Sequence, residues 1–381
     1  MDKMYSGKKV IKAGNFFLKP TEASEAYERE KELAMNVMSY WRLSHEEPLN
    51  EAEKLLSDIT NKHDRRAAIA KRLKRHPSIV SKLKRIDKDN MKLRTMQDIG
   101  GCRAIISSEK KLRQILKDLC VFDGFIYETG LKLEDYISTP KSDGYRGVHI
   151  IGKFGSGDGE RKIEVQLRTK IQHYWATSLE IVDLFNGQKL KQNKGDARWA
   201  SFFTCISEQF AIMESIHLFE NLDFHQQQLK YKAEVVKNKE NIQSFHNAKY
   251  FIKDLKVIKI FEAYFESVKV ISKNISDLKV DGYVLISINL HTIELTASVF
   301  KTSELKAAEA EYLRLEKKFA KDDMLVAALV ATTALGGIKE AYPNYFADST
   351  KFMDLIRVIE YDEKSRPSAG LLKSLKKTIF G

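Results

Sequence analysis

Little in this chain would suit a secreted or membrane-spanning protein. Its three cysteines, Cys102, Cys120 and Cys205, stand too far apart for a disulfide framework or a zinc-ligand cluster, and they fit a reducing cytosol. No apolar run approaches the length needed to cross a bilayer; the longest, Met324 to Leu335, reads as a buried helix. Met1-Asp2-Lys3-Met4 opens no signal-peptide pattern. A cytoplasmic protein with no membrane partner is therefore expected. No internal repeat breaks the chain into an array.

What is present is charge and length. With 381 residues there is room for two cored domains, or for one with a long helical extension. A formal net charge of +12, in a chain that is 30% charged, suits a nucleotide, a nucleic acid or an acidic protein as partner. Charge alone fits equally a soluble protein that happens to be basic.

The most informative stretch is Gly144-Tyr145-Arg146-Gly147-Val148-His149, followed by Lys162 to Thr169. The second block alternates, with Ile163, Val165 and Leu167 on one side and Glu164, Gln166 and Arg168 on the other, the period of a half-buried strand. If Gly155 to Gly159 turns one strand onto the other, a single face gathers Tyr145, His149, Glu164, Gln166 and Arg168. An ordinary solvated strand would show Thr, Lys and Ser there; the pattern leaves a site and plain surface both open.

Upstream, Pro77 suits the first turn of a helix whose stripe carries Ser78 and Lys82, with Arg72 and Lys74 just before its entrance. Free N–H groups, a hydroxyl and cations there would cradle a polyphosphate. The plain alternatives are a solvated basic helix or an RNA-backbone patch. Cys102 to Ser107 reads as a central strand with Asp98 at its mouth, and Glu109 to Leu119 as a helix. Phe122 to Leu133 reads as a strand, and His63-Asp64 as surface.

The order of elements predicts an α+β fold with a mixed or antiparallel sheet flanked by helices. Residues 1–60 are expected to be helical, 61–205 to form the sheet domain, and 206–256 a helical connector that includes one long helix over Phe219 to Phe251. A smaller α+β domain is expected over 257–362, with strands at Val257 to Phe265, Ser267 to Ile271, Tyr283 to Leu290 and Thr292 to Phe300. Its helices are expected near 303–321 and 322–342, its Tyr342 to Asp348 stretch as an aromatic turn, and 363–381 as a basic mobile tail.

Taken in order, Arg72-Leu73-Lys74, Ser78-Ile79, Lys82-Leu83, Asp98 to Arg103, Asp135-Tyr136-Ile137, Pro140-Lys141, Gly144 to His149 and Glu164 to Thr169 with His173 resemble the synthetase domain of the RelA/SpoT family. The resemblance covers about residues 50–185 and implies a nucleotidyltransferase-like domain. Such a domain moves the pyrophosphoryl group of ATP to a ribose 3′-hydroxyl, with Mg²⁺ as cofactor. It implies that Asp98 and Glu164 hold the metal, and that Glu164 helps deprotonate the attacking hydroxyl. Arg72 would lie on adenine, Lys74, Ser78 and Lys82 would grip the ATP phosphates, and Arg103 would support them. Tyr145 would stack on the acceptor base, with Lys141, His149, Gln166, Arg168 and His173 around the acceptor.

Three positions depart from the family pattern: Glu134 where a basic residue is common, Gly147 in place of a serine, and Thr177 in place of a glutamate. No hydrolase half precedes the match, so a short, synthesis-only enzyme is expected. The resemblance leaves three functions open. One is a (p)ppGpp synthetase using GDP or GTP. Another is a toxin acting on the tRNA 3′ end, and the last is an inactive nucleotide- or RNA-binding module. Because a growth-arresting enzyme needs restraint, the C-terminal domain is expected to regulate the synthetase by occluding its nucleotide site until a trigger binds, with a protein trigger or antitoxin acting through it. Phage defence is one precedent in the resembling family.

Overall fold

The computed structural model describes residues 5–20, 22–74, 76–85, 91–186, 196–263, 282–289, 294–319, 325–331 and 345–361. The chain forms two compact units: one of residues 1–141 and 145–173, the other of 142–144 and 174–381.

The first unit is built on a five-stranded sheet in the order β1-β2-β7-β6-β5. Its strands are β1 (Ala68–Leu73), β2 (Gly100–Ile106), β5 (Leu133–Asp135), β6 (Val148–Phe154) and β7 (Arg161–Thr169). β2 and β7 run parallel and the other neighbours antiparallel, so the sheet is mixed, as the order of elements predicts. Alternation sorts the faces. Cys102, Ala104, Ile106, Val148, Ile150, Ile163, Val165 and Leu167 bury one face against α3 (Glu46–His63) and α5 (Glu109–Cys120). Ser108 starts α5 by accepting from the Lys111 N–H, with Glu109 in the first turn, a sequence-readable cap. A second core joins α1 (Gly7–Phe16), α2 (Glu25–Leu43) and α4 (His76–Arg85) through Val10, Phe16, Met38, Ile79 and Leu83.

Two expectations fail here. Phe122 to Leu133 is not one strand but a 3-10 turn (Asp123–Phe125) and a ribbon of β3 (Ile126–Tyr127) with β4 (Gly130–Leu131). Gly124 and Gly130 interrupt the run, and Gly130 sits at φ +88°. Asp64 is not surface: its buried carboxylate accepts from the Ser107 N–H at 2.7 Å and from Lys111 Nζ at 3.0 Å, tying α3 to the end of β2.

The second unit contains α6 (Lys170–Asn186) beyond its first turn, α7 (Ala197–Ser215), α8 (Phe224–Val235), α9 (Lys239–Asp254) and α10 (257–263). It also holds a hairpin of β8 (Gly282–Asn289) and β9 (Glu294–Lys301), then α11 (Leu305–Phe319), β10 (Leu325–Ala331) and α12 (Tyr345–Glu360). The expected long helix over 219–251 is broken, because Asp223 and Asn238 each accept from a backbone N–H and start new helices. Residues 257–263 are helical rather than extended, burying Val257 and Phe261 at i, i+4. Leu325 to Ala331, expected as helix, is a strand paired with β8, an ambiguity inherent in short apolar runs. Tyr345 to Asp348 open α12 rather than a turn. Phe203, Phe210, Phe261 and Phe352 stack into one aromatic core, so α7, α10 and α12 belong to a single packed body. The expectations for Ser267 to Ile271, Tyr342 to Asn344 and the 363–381 tail lie outside the described residues.

Candidate active site

The sheet face turned away from the α3–α5 core carries the polar side chains in two cross-strand rows. One row runs Arg103, Gln166, His149, Glu134 from β2 to β5. The next runs Arg72, Gly101, Glu164, Ile151 from β1 to β6. Arg72 thus stands on β1, just ahead of α4 as expected, and Gly101 leaves a side-chain-free gap between it and Glu164. The basic run 71–75 hid this strand, because Lys71 and Arg72 interrupt its apolar alternation.

Across the two rows the polar groups, with Tyr145 and Arg168, close into a ring of hydrogen bonds. Arg168 Nε donates to the Tyr145 hydroxyl at 3.1 Å, and that hydroxyl lies 2.6 Å from His149 Nε2. His149 Nδ1 lies 3.0 Å from Glu164 Oε1, Gln166 Nε2 donates to Glu164 Oε2 at 2.6 Å, and an Arg168 N–H donates to Gln166 Oε1 at 3.2 Å. The Tyr145 hydroxyl and the Glu164 carboxylate thus engage opposite nitrogens of the one His149 ring. Burial works against the Glu164 charge, but His149 and Gln166 outweigh it and hold the carboxyl down at about 2.

Asp98 forms the second acidic centre, at the mouth of β2. Its Oδ2 accepts from Lys74 Nζ at 2.9 Å and from Lys82 Nζ at 2.8 Å. Its Oδ1 is buried and takes no hydrogen bond among the described residues. Burial opposes the Asp98 charge, and the two ammonium groups more than offset it, so its carboxyl lies below the ordinary value. Lys82 also lowers the Glu164 carboxyl, which places one cation within electrostatic reach of both acids.

The aromatic part is larger than expected. Tyr136 meets Tyr145 edge-on at 5.8 Å and His149 at 5.4 Å, while Lys141 Nζ sits 4.2 Å from the Tyr136 ring centre and 5.1 Å from that of Tyr145. Asp135 builds the turn that presents Tyr136, accepting from the Ile137 and Ser138 N–H groups and from Arg113. Sequence reading missed Tyr136 as a site residue, although its place in the Asp-Tyr-Ile block was a usable signal. Gly147, at φ +152°, leaves a side chain only tight space: a Cβ would meet the Tyr145 hydroxyl at 3.0 Å and Arg168 Cγ at 3.3 Å. Ser78 is exposed on α4, whereas Arg103 and His173 are almost wholly buried.

Residues 71–181 match a family model described as a region found in RelA / SpoT proteins. The match covers less than a third of the chain. Over 102 residues it is 37% identical to the probable chloroplastic GTP diphosphokinase RSH3 of Arabidopsis thaliana, a match covering 27% of this chain and 14% of that one. Over 110 residues it is 30% identical to the GTP pyrophosphokinase YjbM of Bacillus subtilis, covering 28% and 51%. The matched stretch therefore spans about half the length of the Bacillus relative and about one seventh of the plant one. Small alarmone synthetase 1 of Bacillus subtilis, solved with its product pppGpp, aligns with a TM-score of 0.39 at 19% identity, over 46% of this chain and 92% of that one. Both rows, Asp98 and the Tyr136–Tyr145 pair lie inside the matched residues 71–181, and α7 to α12 lie beyond them. Among the described residues, no helix is long and apolar enough to cross a membrane.

Proposed function

We propose that the chain is an ATP-dependent pyrophosphokinase that transfers the β,γ-pyrophosphoryl group of ATP to the 3′-hydroxyl of a guanine nucleotide and releases AMP. The observation that carries this reading is the pair of anionic carboxylates, Asp98 and Glu164, sharing the Lys82 cation beside two tyrosine rings. The names of the matched relatives support the same chemistry.

In this reading the acceptor oxygen forms a bond to the β-phosphorus as the bond from that phosphorus to the α,β-bridging oxygen breaks. The hydroxyl proton leaves toward Glu164, and the bridging oxygen departs on AMP. Glu164 is anionic until it takes that proton, which it then passes on to solvent; it orients the hydroxyl, while His149 and Gln166 fix both of its oxygens. Lys74 and Lys82 exchange the Asp98 carboxylate for ATP phosphates, and Arg72 lies across the Gly101 gap from Glu164. Tyr145 and Tyr136 offer faces to the acceptor base.

The residues fit Mg²⁺: Asp98 Oδ1 is a buried oxygen with no other partner among the described residues, and Glu164 is a second hard anionic donor. A bound ion would supply charge neutralisation at the triphosphate.

A second reading keeps the transfer and makes the tRNA 3′ end the acceptor. Glu134, in the row beside His149, favours it, because an acid there repels the 5′-phosphates of a free nucleotide. The test is γ-labelled ATP incubated with the full chain and GDP, GTP or deacylated tRNA. Label moving to GDP or GTP with AMP release supports the first reading, and label on tRNA alone the second. Intact ATP in all arms would overturn both.

A further inference from the structure

The grip on Asp98 is fastened by a helix, α2, that precedes the matched residues 71–181. Lys74 and Lys82 both reach Oδ2 of Asp98, so two ammonium groups converge on a single oxygen. Lys74 follows the last residue of β1, Leu73, which pairs with Gly100, and α4 begins two residues later at His76. The Lys74 backbone is held on both sides. Its N–H donates to the Ile99 carbonyl at 2.7 Å, and its own carbonyl accepts from Arg42 Nε at 2.9 Å. On the same face of α2, Ser39 Oγ lies 3.1 Å from His76 Nε2. Arg42 and Ser39 thus hold the two ends of the link from β1 to α4.

The packing of α2 does not require these bonds. Ala34 and Met38 already join α2 to Ile79 and Leu83 of α4 in one core, and Arg42 continues their i, i+4 stripe to its half-buried edge. Water could serve the Lys74 carbonyl at that edge, and a lysine would complement the C-terminal end of α2 equally well. What a guanidinium adds is direction, because its Nε–H is fixed in a planar fork. Burial and then Arg42 hold the His76 imidazole below its ordinary value, so a neutral ring meets the Ser39 hydroxyl.

We propose that Arg42 is a positioning residue for the donor triphosphate, acting through the Lys74 carbonyl, with Ser39 as its companion on His76. When Lys74 and Lys82 exchange the Asp98 carboxylate for phosphate oxygens, the contacts that hold their ammonium groups in the free protein are lost. The backbone that carries Lys74 then keeps its place through Ile99 and Arg42. A lysine rooted in a fixed backbone loses less freedom on reaching a phosphate than one rooted in a loose turn. α2 therefore belongs to the ATP site, although none of its residues falls in the matched stretch. The phosphate role of Lys74 rests on the pyrophosphokinase reading; the fastening of its backbone does not.

The test uses the full chain, with labelled ATP in equilibrium dialysis without acceptor, followed by steady-state kinetics. Arg42→Lys keeps the charge at the end of α2 and loses the directed Nε–H. It should weaken ATP binding about tenfold, the scale of one charge-assisted hydrogen bond, and raise KM for ATP while KM for the acceptor stays within about twofold. Arg29→Lys, on the same helix but paired with Glu25 in solvent, should leave ATP binding unchanged. In a Lys74→Gln background Arg42→Lys should add little, because the group it positions is gone. Wild-type ATP affinity in Arg42→Lys would overturn the proposal. So would equal rises in both KM values, the mark of a general loosening, or fully additive losses with Lys74→Gln. Should Arg42→Lys melt well below the wild type, Ser39→Ala decides: an ATP-selective loss there supports the fastening, and its absence overturns it. ATP binding that weakens in Arg42→Lys, with no transfer by any of the proteins, would count against the pyrophosphokinase reading alone.

Discussion

His149 Nδ1 lies 3.0 Å from Glu164 Oε1, and the opposite nitrogen of the same ring lies 2.6 Å from the Tyr145 hydroxyl. One imidazole therefore joins the carboxylate to the aromatic ring proposed to hold the acceptor. What happens at Tyr145 is felt at Glu164 through a single ring.

That link gives a pH prediction. Burial pushes the Glu164 carboxyl up, and His149 and Gln166 bring it down to about 2. In His149→Asn, burial is less well opposed, so the carboxyl rises and protonation begins at higher pH. The acid limb of kcat/KM should move upward by about one pH unit or more, consistent with losing a charge-assisted partner. A limb that stays in place while turnover falls would confine His149 to packing.

Gly147→Ser restores the residue common in the resembling family, yet it should harm this chain. The new Cβ meets the Tyr145 hydroxyl at 3.0 Å and requires a φ of +152° that side chains rarely adopt. The expected cost is about 1–3 kcal/mol of stability, with a raised acceptor KM as Tyr145 is displaced. Urea unfolding and steady-state kinetics read the two effects separately.

Asp64 supplies a stability prediction with a sign. Burial opposes its charge, and the Ser107 and Lys111 contacts win, holding it at about 2 against an ordinary 3.8. A carboxyl depressed on folding contributes stability that is complete above its unfolded value and is lost as pH falls through the folded one. Asp64→Asn should therefore cost about 2 kcal/mol at neutral pH, by the linkage between shift and stability. The gap to the wild type should close between about pH 4 and pH 2, measured by urea melts across that range. A gap independent of pH would assign the loss to packing alone.

The sheet that presents the site was legible because alternation is strict in β7 and the glycine turn after Phe154 is unmistakable. Cys102 to Ile106 was legible for the same reason, an apolar run bounded by punctuation. β1 was hidden by its charges, since it is an edge strand whose identity comes from pairing with β2. The ring through Arg168, Tyr145, His149, Glu164 and Gln166 could be guessed as one face but not as a closed circuit, because closure depends on rotamers. In the second unit, local pattern misled. Val257 to Ala263 is rich in strand formers, yet its i, i+4 pair is recruited by an aromatic core whose other members lie about 50 to 90 residues away. Cutting the chain near residue 250 would remove Phe261 and Phe352 from that core, so such a truncation reports on folding before it reports on regulation.

Asp98 and Glu164 are proposed to act together on one triphosphate. The direct measurement is AMP release from labelled ATP, in the presence of the acceptor that accepts label, by the wild type, Asp98→Asn and Glu164→Gln, with circular dichroism confirming the fold of each. Each variant should lose at least ~100-fold in turnover, the scale of removing a central electrostatic group. A folded Glu164→Gln protein turning over at a near-normal rate would show that the two carboxylates are not a catalytic pair.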